Sequence, residues 1–310
     1  MNTQNSEEQY SSQPFAYVLM TAAYNEEANI AKTIESILSQ TVLPKRWVIV
    51  SDGSFDRTDE IVQDYAKKHA FIHFLRMTRA PGRSFRSKVV ALRSGSKQLD
   101  EVTFDFIGNL DADVSVDPSY FENLIAHFRK NPELGLTGGF VYEEKGGEFQ
   151  SRTSNRAYSV AHAAQLVRRE CYEAIGGYAV LEFGGEDWHA QTSARMKGWT
   201  AEAFPELKIF HHRNTGEGDN LVRHKFRQGR MDHAFGSNPV FETFKCLERI
   251  PEKPFFIGSI ARLMGFFWSY IHRDKRPVSA EFIAFLRKEQ EQKLSSLLSG
   301  VWRHSRFQSS

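Results

Sequence analysis

The sequence predicts an α/β protein with a mostly parallel sheet covered by helices on both faces. Two observations carry this. Short runs rich in Val, Ile, Leu and Phe recur at residues 15–21, 47–51, 72–77 and 102–110. Amphipathic stretches of helical length separate them. Strands that alternate with helices need crossover connections, which give parallel pairing and cover both faces of the sheet. At 310 residues, 41% hydrophobic and 25% charged, the chain suits one large domain with an appendage. Such a core needs no disulfide.

The elements follow in order. A strand at 15–21 leads through a loop at 22–27 into a helix near 28–39. A short buried strand at 47–51 ends in a turn at 52–56. Thr58 is placed to cap a helix running to Lys68. Residues 72–77 form the third strand, and a Pro-Gly loop precedes a helix near 87–98. The strand at 102–110 then delivers Asn109-Leu-Asp-Ala-Asp113, and Asp117-Pro118 opens a further helix. Open parallel sheets bind ligands beyond the carboxyl ends of their strands. The loops 22–27, 52–56 and 109–113 should therefore gather on one edge.

The middle is less regular. Residues 135–142 suggest a strand, Gly146 a loop, and Gly176-Gly177-Tyr178 a tight turn. Residues 186–197 suggest a helix ended by Gly198, and 208–212 a short last strand. The final third is helical. Residues 255–271 are very apolar but too short for a comfortable membrane span, and Arg262 interrupts them. His272, Arg273, Lys275 and Arg276 follow, which suggests an interfacial helix with a basic edge. A core helix packed on the main domain is the other reading. Residues 282–298 form another amphipathic helix. The expected organisation is a disordered Ser/Gln/Asn/Glu-rich tail at 1–14, the α/β domain at 15–235, and a helical region at 236–310 that associates with a membrane or with another subunit.

Net charge is +2, but residues 205–310 hold 18 Lys and Arg against 11 Asp and Glu. An acidic first part and a basic last part suit a metal site combined with a surface for phosphates or anionic lipid. The basic excess is local and gives no support for nucleic-acid binding. The only cysteines, Cys171 and Cys246, lack metal-ligand spacing and fit a reducing compartment, the cytosol, with no signal peptide visible.

Asp111 and Asp113 are the first chemical candidates. On an extended chain, residues i and i+2 point to the same side. Two carboxylates so placed call for a hard cation, Mg²⁺ or Mn²⁺, with a phosphate-bearing ligand. The small residues near Ala22 let a ligand approach the first loop, and the helix that follows favours an anion. Asp52 offers an acceptor to a base or a sugar hydroxyl. Arg83, Arg86 and Lys88 can reach a base or diphosphate.

Taken in order, Tyr24-Asn-Glu-Glu27, Val50-Ser-Asp-Gly-Ser-Phe-Asp-Arg-Thr58, Lys88-Val-Val-Ala-Leu-Arg-Ser-Gly95 and Asp111-Ala-Asp113 resemble the family 2 glycosyltransferases of the GT-A fold. The resemblance covers residues 17–212. It implies a nucleotide-diphosphate sugar donor, a divalent metal and inversion at the anomeric carbon. It places Ala22, Tyr24, Glu26, Asp52, Lys88 and Asp111 around the nucleotide sugar, and makes Asp113 a direct metal ligand. Either His211 or His212 would be the second ligand, since neighbours on a strand face opposite ways. Gly176, Gly177, Tyr178, Glu186 and Trp188 would lie on the acceptor side, with Asp187 as general base.

Glycosyl transfer independently needs a base for the acceptor hydroxyl and positive charge on the departing diphosphate. One carboxylate suffices for inversion. Arg223, Lys225, Arg227 and Arg230, with His224 and His233, form a basic segment able to close over the diphosphate as a lid. Polymerising members of the family carry Gln-x-x-Arg-Trp here. This chain has Gln228-Gly-Arg-Met231, which favours addition of one sugar. The acceptor expected is a glycan or a lipid-linked acceptor. The competing readings are nucleotidyl transfer, which usually places a Gly-rich loop with Lys or Arg after the first strand, and non-catalytic binding of a nucleotide sugar.

Overall fold

The computed structural model describes residues 15–78, 85–213, 221–252 and 254–298. The expected tail at 1–14 and Arg83 lie outside the described residues. Strands β1 (Tyr17–Ala23), β2 (Arg46–Asp52), β3 (Ile72–Met77) and β4 (Phe106–Leu110) pair in parallel in the order β3-β2-β1-β4. Helices α1 (Ile30–Leu38), α2 (Thr58–Lys68) and α3 (Phe85–Ser96) make the crossovers. Alternate residues feed two separate cores. Tyr17, Leu19, Trp47 and Ile49 enter one, and Val18, Met20, Val48 and Val50 enter the other. Burial on both faces is why these strands are continuously apolar.

Two details differ from expectation. β4 begins at Phe106 rather than 102, because the Asp105 carboxylate takes the Ala16 N–H at 2.7 Å outside the ladder. Thr58 is the first residue of α2 rather than its cap. Asp56 accepts the Thr58 N–H at 3.0 Å, while the Thr58 hydroxyl accepts the Glu26 N–H at 2.7 Å. The threonine ties two loops together instead of ending a helix.

The second half of the sheet holds strands the sequence did not reveal. β5 (Val114–Val116) follows the Asp pair directly. α4 (Tyr120–Lys130) leads to β6 (Leu134–Lys145) and β7 (Glu148–Ser151), a hairpin through Gly146 and Gly147. β8 (Ala164–Arg168) runs antiparallel between β4 and β6. β9 (Thr200–His211) is parallel to β6, far longer than the strand expected at 208–212, and carries β5 antiparallel on its other edge. A side chain at Gly139 would strike the Leu207 carbonyl, so glycine is required where these two strands shift register. Helices α5 (Arg169–Ala174) and α6 (Glu186–Met196) complete this half.

Helices α7 (Leu221–Ala234), α8 (Pro239–Glu248), α9 (Ile257–Ile271) and α10 (Ala280–Leu298) follow. α7 crosses α9 very closely. A Cβ on Gly229 would collide with the Arg262 carbonyl, and one on Gly265 with the Phe226 carbonyl. This packing spans the boundary expected at 235/236. Arg262 is buried in the crossing and pairs with Asp232 at 2.7 Å and Glu242 at 3.1 Å. Lys245 pairs with the same two carboxylates at 3.0 and 2.5 Å. α10 docks on α6 through Arg195 and Glu289, 2.8 Å apart. α9 packs on the helical layer, as the core reading expects. One face is buried and the other exposed. Among the described residues no helix is long and apolar enough to cross a membrane.

Candidate active site

The loops after β1 and β2 brace each other. Asn25 adopts a φ of 52°, and its side-chain oxygen accepts the Phe55 N–H at 3.0 Å. Ser54 Oγ accepts the Asn25 N–H at 3.1 Å. The result leaves Ala22 half-buried, Asp52 buried, and Tyr24 exposed with its ring edge-on to Phe55.

Asp111 and Asp113 do not converge as they would on an extended chain. The backbone turns at Ala112 and Asp113 before entering β5. Each carboxylate therefore has its own partners. Asp111 Oδ1 meets Lys88 Nζ at 2.6 Å and accepts from Asn109 Nδ2 at 3.1 Å. Burial opposes charge on Lys88, but Asp111, Glu186 and Asp113 outweigh it and hold its pKa above the ordinary value. Asp113 Oδ1 lies 3.3 Å from His211 Nε2. Arg213 lies across both Asp113, 3.7 Å away, and Glu26, at 2.6 Å. Burial and the Asp113 charge push the Glu26 carboxyl up to about 7, against Arg213.

The two histidines separate cleanly. His211 faces Asp113, while His212 Nε2 lies 2.9 Å from Ser115 Oγ with its ring edge-on to Phe149. Burial disfavours a charged His211, yet the hydrogen bond and charge of Asp113 raise its pKa; burial lowers that of His212. Of the pair, only His211 shares the site with Asp113. Among the described residues no three His, Cys, Asp or Glu side chains form a metal cage by themselves.

Opposite Asp111 lies the start of α6. Gly184 and Gly185 adopt φ of 82° and 87° and turn the chain into that helix. A side chain at Gly185 would meet Met231 of α7, so α7 closes directly on this loop. Asp187 Oδ1 accepts the Trp188 N–H at 2.7 Å. Burial, then the neighbouring Glu186 charge, raises its carboxyl to about 6. Lys88 acts on Glu186 and Asp187 from one side and holds Asp111 on the other.

Three expected residues reach the site indirectly or not at all. Tyr178 follows Gly176 and Gly177, both with positive φ, but its ring is buried. Its hydroxyl accepts from Gln165 Nε2 at 2.8 Å, and its ring supports His162 edge-on at 4.5 Å. Trp188 points into the helical layer against Phe235, 4.7 Å away, because that layer offers it an aromatic cluster. Arg230 is captured by Asp274 at 2.9 Å and lies over the Phe183 ring. Lys225 pairs with Glu252, and Arg227 lies 2.9 Å from His224. Lys225, Arg227 and Arg230 of the expected lid thus have partners within the helical layer.

Two residues escaped the sequence reading. Arg213 follows the histidines directly, and nothing in periodicity marks it. His162 precedes β8 in a segment that showed only as polar. It is 6% exposed, both ring nitrogens lack a partner, and Nδ1 lies 4.0 Å from Glu186. Burial, then Lys88, holds its pKa well below the ordinary value, so the ring is neutral.

This arrangement meets its decisive comparison in sequence. The profile described as "Glycosyl transferase family 2" matches residues 19–184, more than half of the chain. The chain belongs to glycosyl transferase family 2. The poly-β-1,6-N-acetyl-D-glucosamine synthase of Staphylococcus epidermidis is 35% identical over 120 residues, 39% of this chain but only 27% of that protein. A Staphylococcus aureus counterpart is 32% identical over the same length. Solved structures establish the GT-A fold. The mannosyltransferase PcManGT of Pyrobaculum calidifontis, in complex with GDP-Man and Mn²⁺, superposes with a TM-score of 0.56 at 14% identity, covering 96% of this chain and 93% of that one. TarS of S. aureus in complex with UDP-GlcNAc gives 0.52 at 15% identity, covering 88% and 78%.

Proposed function

We propose that this family 2 enzyme moves one sugar from a nucleotide-diphosphate sugar to a hydroxyl of a glycan or lipid-linked acceptor, inverting the anomeric carbon. The observation that carries this is Asp187, a carboxylate raised to about 6 and separated from Asp111 by Lys88. A base poised near neutrality is suited to take a hydroxyl proton. As the acceptor oxygen attacks, its proton passes to Asp187 and the bond from the anomeric carbon to the diphosphate breaks. Lys88 meets negative charge on the donor side. Tyr24 and Asp52 suit the base and ribose, with Ala22 leaving them room. Gly176, Gly177 and Glu186 border the acceptor side.

Asp113 and His211 fit a divalent cation. A carboxylate and an imidazole 3.3 Å apart suit a shared ion that completes its shell with phosphate oxygens. Bound there, Mg²⁺ or Mn²⁺ would supply positive charge to the diphosphate. Support comes from relatives named as polysaccharide synthases and from GT-A structures that hold nucleotide sugars and Mn²⁺. We assign the reaction to cell-surface polysaccharide or glycoconjugate synthesis, on the cytoplasmic face of a membrane with peripheral contact. The free, buried thiols of Cys171 and Cys246 are compatible with that reducing side.

The test is donor hydrolysis and binding across UDP-, GDP- and dTDP-sugars, with and without Mn²⁺ or Mg²⁺. Metal-dependent release of a nucleoside diphosphate from one donor is expected. Failure to bind any donor, or release of pyrophosphate from a nucleoside triphosphate and a sugar phosphate, would overturn the proposal.

A further inference from the structure

We infer that the outer face of α9 lies in the surface of an anionic lipid bilayer, parallel to the membrane plane. The face is a single stripe: Ile257, Ile260, Met264, Phe267, Trp268 and Ile271 recur at helical spacing. Their exposure runs from 41% at Phe267 to 76% at Ile271. Phe255 and Phe256 lead into it, each more than half exposed. Monomers rarely leave apolar patches beyond a few hundred Å² open to water. Half-exposed side chains of this size together reach on the order of that limit. The neighbouring α8 adds exposed Val240, Phe244 and Leu247.

The face is not an unpacked core face. The opposite side of α9, with Gly258, Ala261, Arg262, Gly265 and Phe266, is already buried in the helical layer. At 15 residues the helix is about 22 Å long, short of the ~30 Å hydrocarbon thickness. It can lie in an interface but not cross one.

Charge selects the occupant. The segment 255–271 contains no Asp or Glu, and exposed Arg273 and Lys275 follow it. Of the nearby acids, Asp274 is occupied by Arg230 and Ser269 and Glu252 by Lys225 and Arg249, while Glu248 on α8 is exposed. A second copy docked with its α9 parallel to this one would bring two basic edges together. Anionic headgroups would instead neutralise them while the aromatic stripe enters the acyl boundary. α7 links this surface to the chemistry, since it crosses α9 at Gly229 and closes on the Gly185 loop before Asp187. Docking would hold the site at a fixed height above the lipid, where the head of a lipid-linked acceptor lies. Only that last consequence rests on the proposed transfer.

The test is co-sedimentation of the full chain with phosphatidylcholine vesicles, with and without phosphatidylglycerol. Binding should favour the anionic vesicles and weaken with salt. Ile260→Ser/Met264→Ser/Ile271→Ser should lower partitioning by roughly tenfold or more. Its melting temperature and its binding of nucleotide sugar should stay unchanged, which separates this inference from the donor assignment. Arg273→Gln/Lys275→Gln should lose the preference for phosphatidylglycerol. Equal sedimentation of the triple variant, or no sedimentation of the wild type, overturns the inference. A wild-type dimer that the triple variant splits would give the face to a second copy and overturn it too.

Discussion

Two single residues bear on the proposed chemistry, and they differ in how visible they were. Asp187 was legible only through the resemblance to the family, which makes it the general base. With its pKa raised to about 6, it is protonated below that pH and cannot accept a proton. Transfer, read as kcat/KM against pH, should therefore rise through about 6 and level off above it. Asp187→Asn should remove transfer while binding of the nucleotide sugar survives; loss of both together would make Asp187 a binding group. His162 was not legible, because a lone histidine in a polar stretch carries no pattern. Its two unpartnered nitrogens sit 4.0 Å or more from Glu186. His162→Phe keeps the packing on Tyr178 and removes the nitrogens. Loss of one hydrogen bond to a sugar hydroxyl would lower kcat/KM roughly tenfold to a hundredfold, with an unchanged melting temperature. An unaltered kcat/KM would leave the ring as packing for Tyr178 alone.

Among elements, the parallel half was legible and the second half only in part, its strand near 135–142 and helix at 186–197, for physical reasons. β1, β2 and β4 are buried on both faces, so they read as apolar runs between helices. β8 is buried too, but Gln165 interrupts it, and it runs antiparallel with no helix before it to announce a crossover. β9 alternates around Pro205, Glu206 and Lys208, so only its end showed as a strand. β5 is three residues long and stands only because β9 pairs with it. The α7–α9 crossing was invisible because glycine inside a helix usually signals weakness rather than contact. Here it permits the approach. Gly265→Ala would force a methyl against the Phe226 carbonyl. The helices would have to separate, at a cost of about 1–3 kcal/mol in denaturant unfolding. An alanine variant as stable as the wild type would mean that α7 and α9 slide without penalty.

At the scale of the whole molecule, the helical layer is fastened to the half that carries the candidate site and is itself held by buried charge. α10 pins α6 through Glu289 and Arg195, and α7 closes the Gly185 loop. The sequence marked this region as basic and apolar but could not tell which cations were committed inward. Arg262 read as a polar break in an apolar run. It is the centre of a buried cluster, donating to Asp232 at 2.9 Å and Glu242 at 3.1 Å, with Gln228 at 3.2 Å. Arg262→Met preserves much of the side-chain length and suits the apolar run, so sequence alone would rate it harmless. It strands two buried carboxylates with Lys245 as their remaining partner. Breaking such a cluster costs roughly 3–5 kcal/mol, because uncompensated charge stays buried. The variant should therefore unfold earlier in urea. Since α7 carries both Asp232 and the residues that close on the Gly185 loop, transfer should fall as the helical layer loosens. Adding Asp232→Asn and Glu242→Gln to Arg262→Met removes the stranded charge and should recover part of the lost stability. A triple variant no more stable than Arg262→Met alone would show that the arginine acts through its packing rather than through its charge.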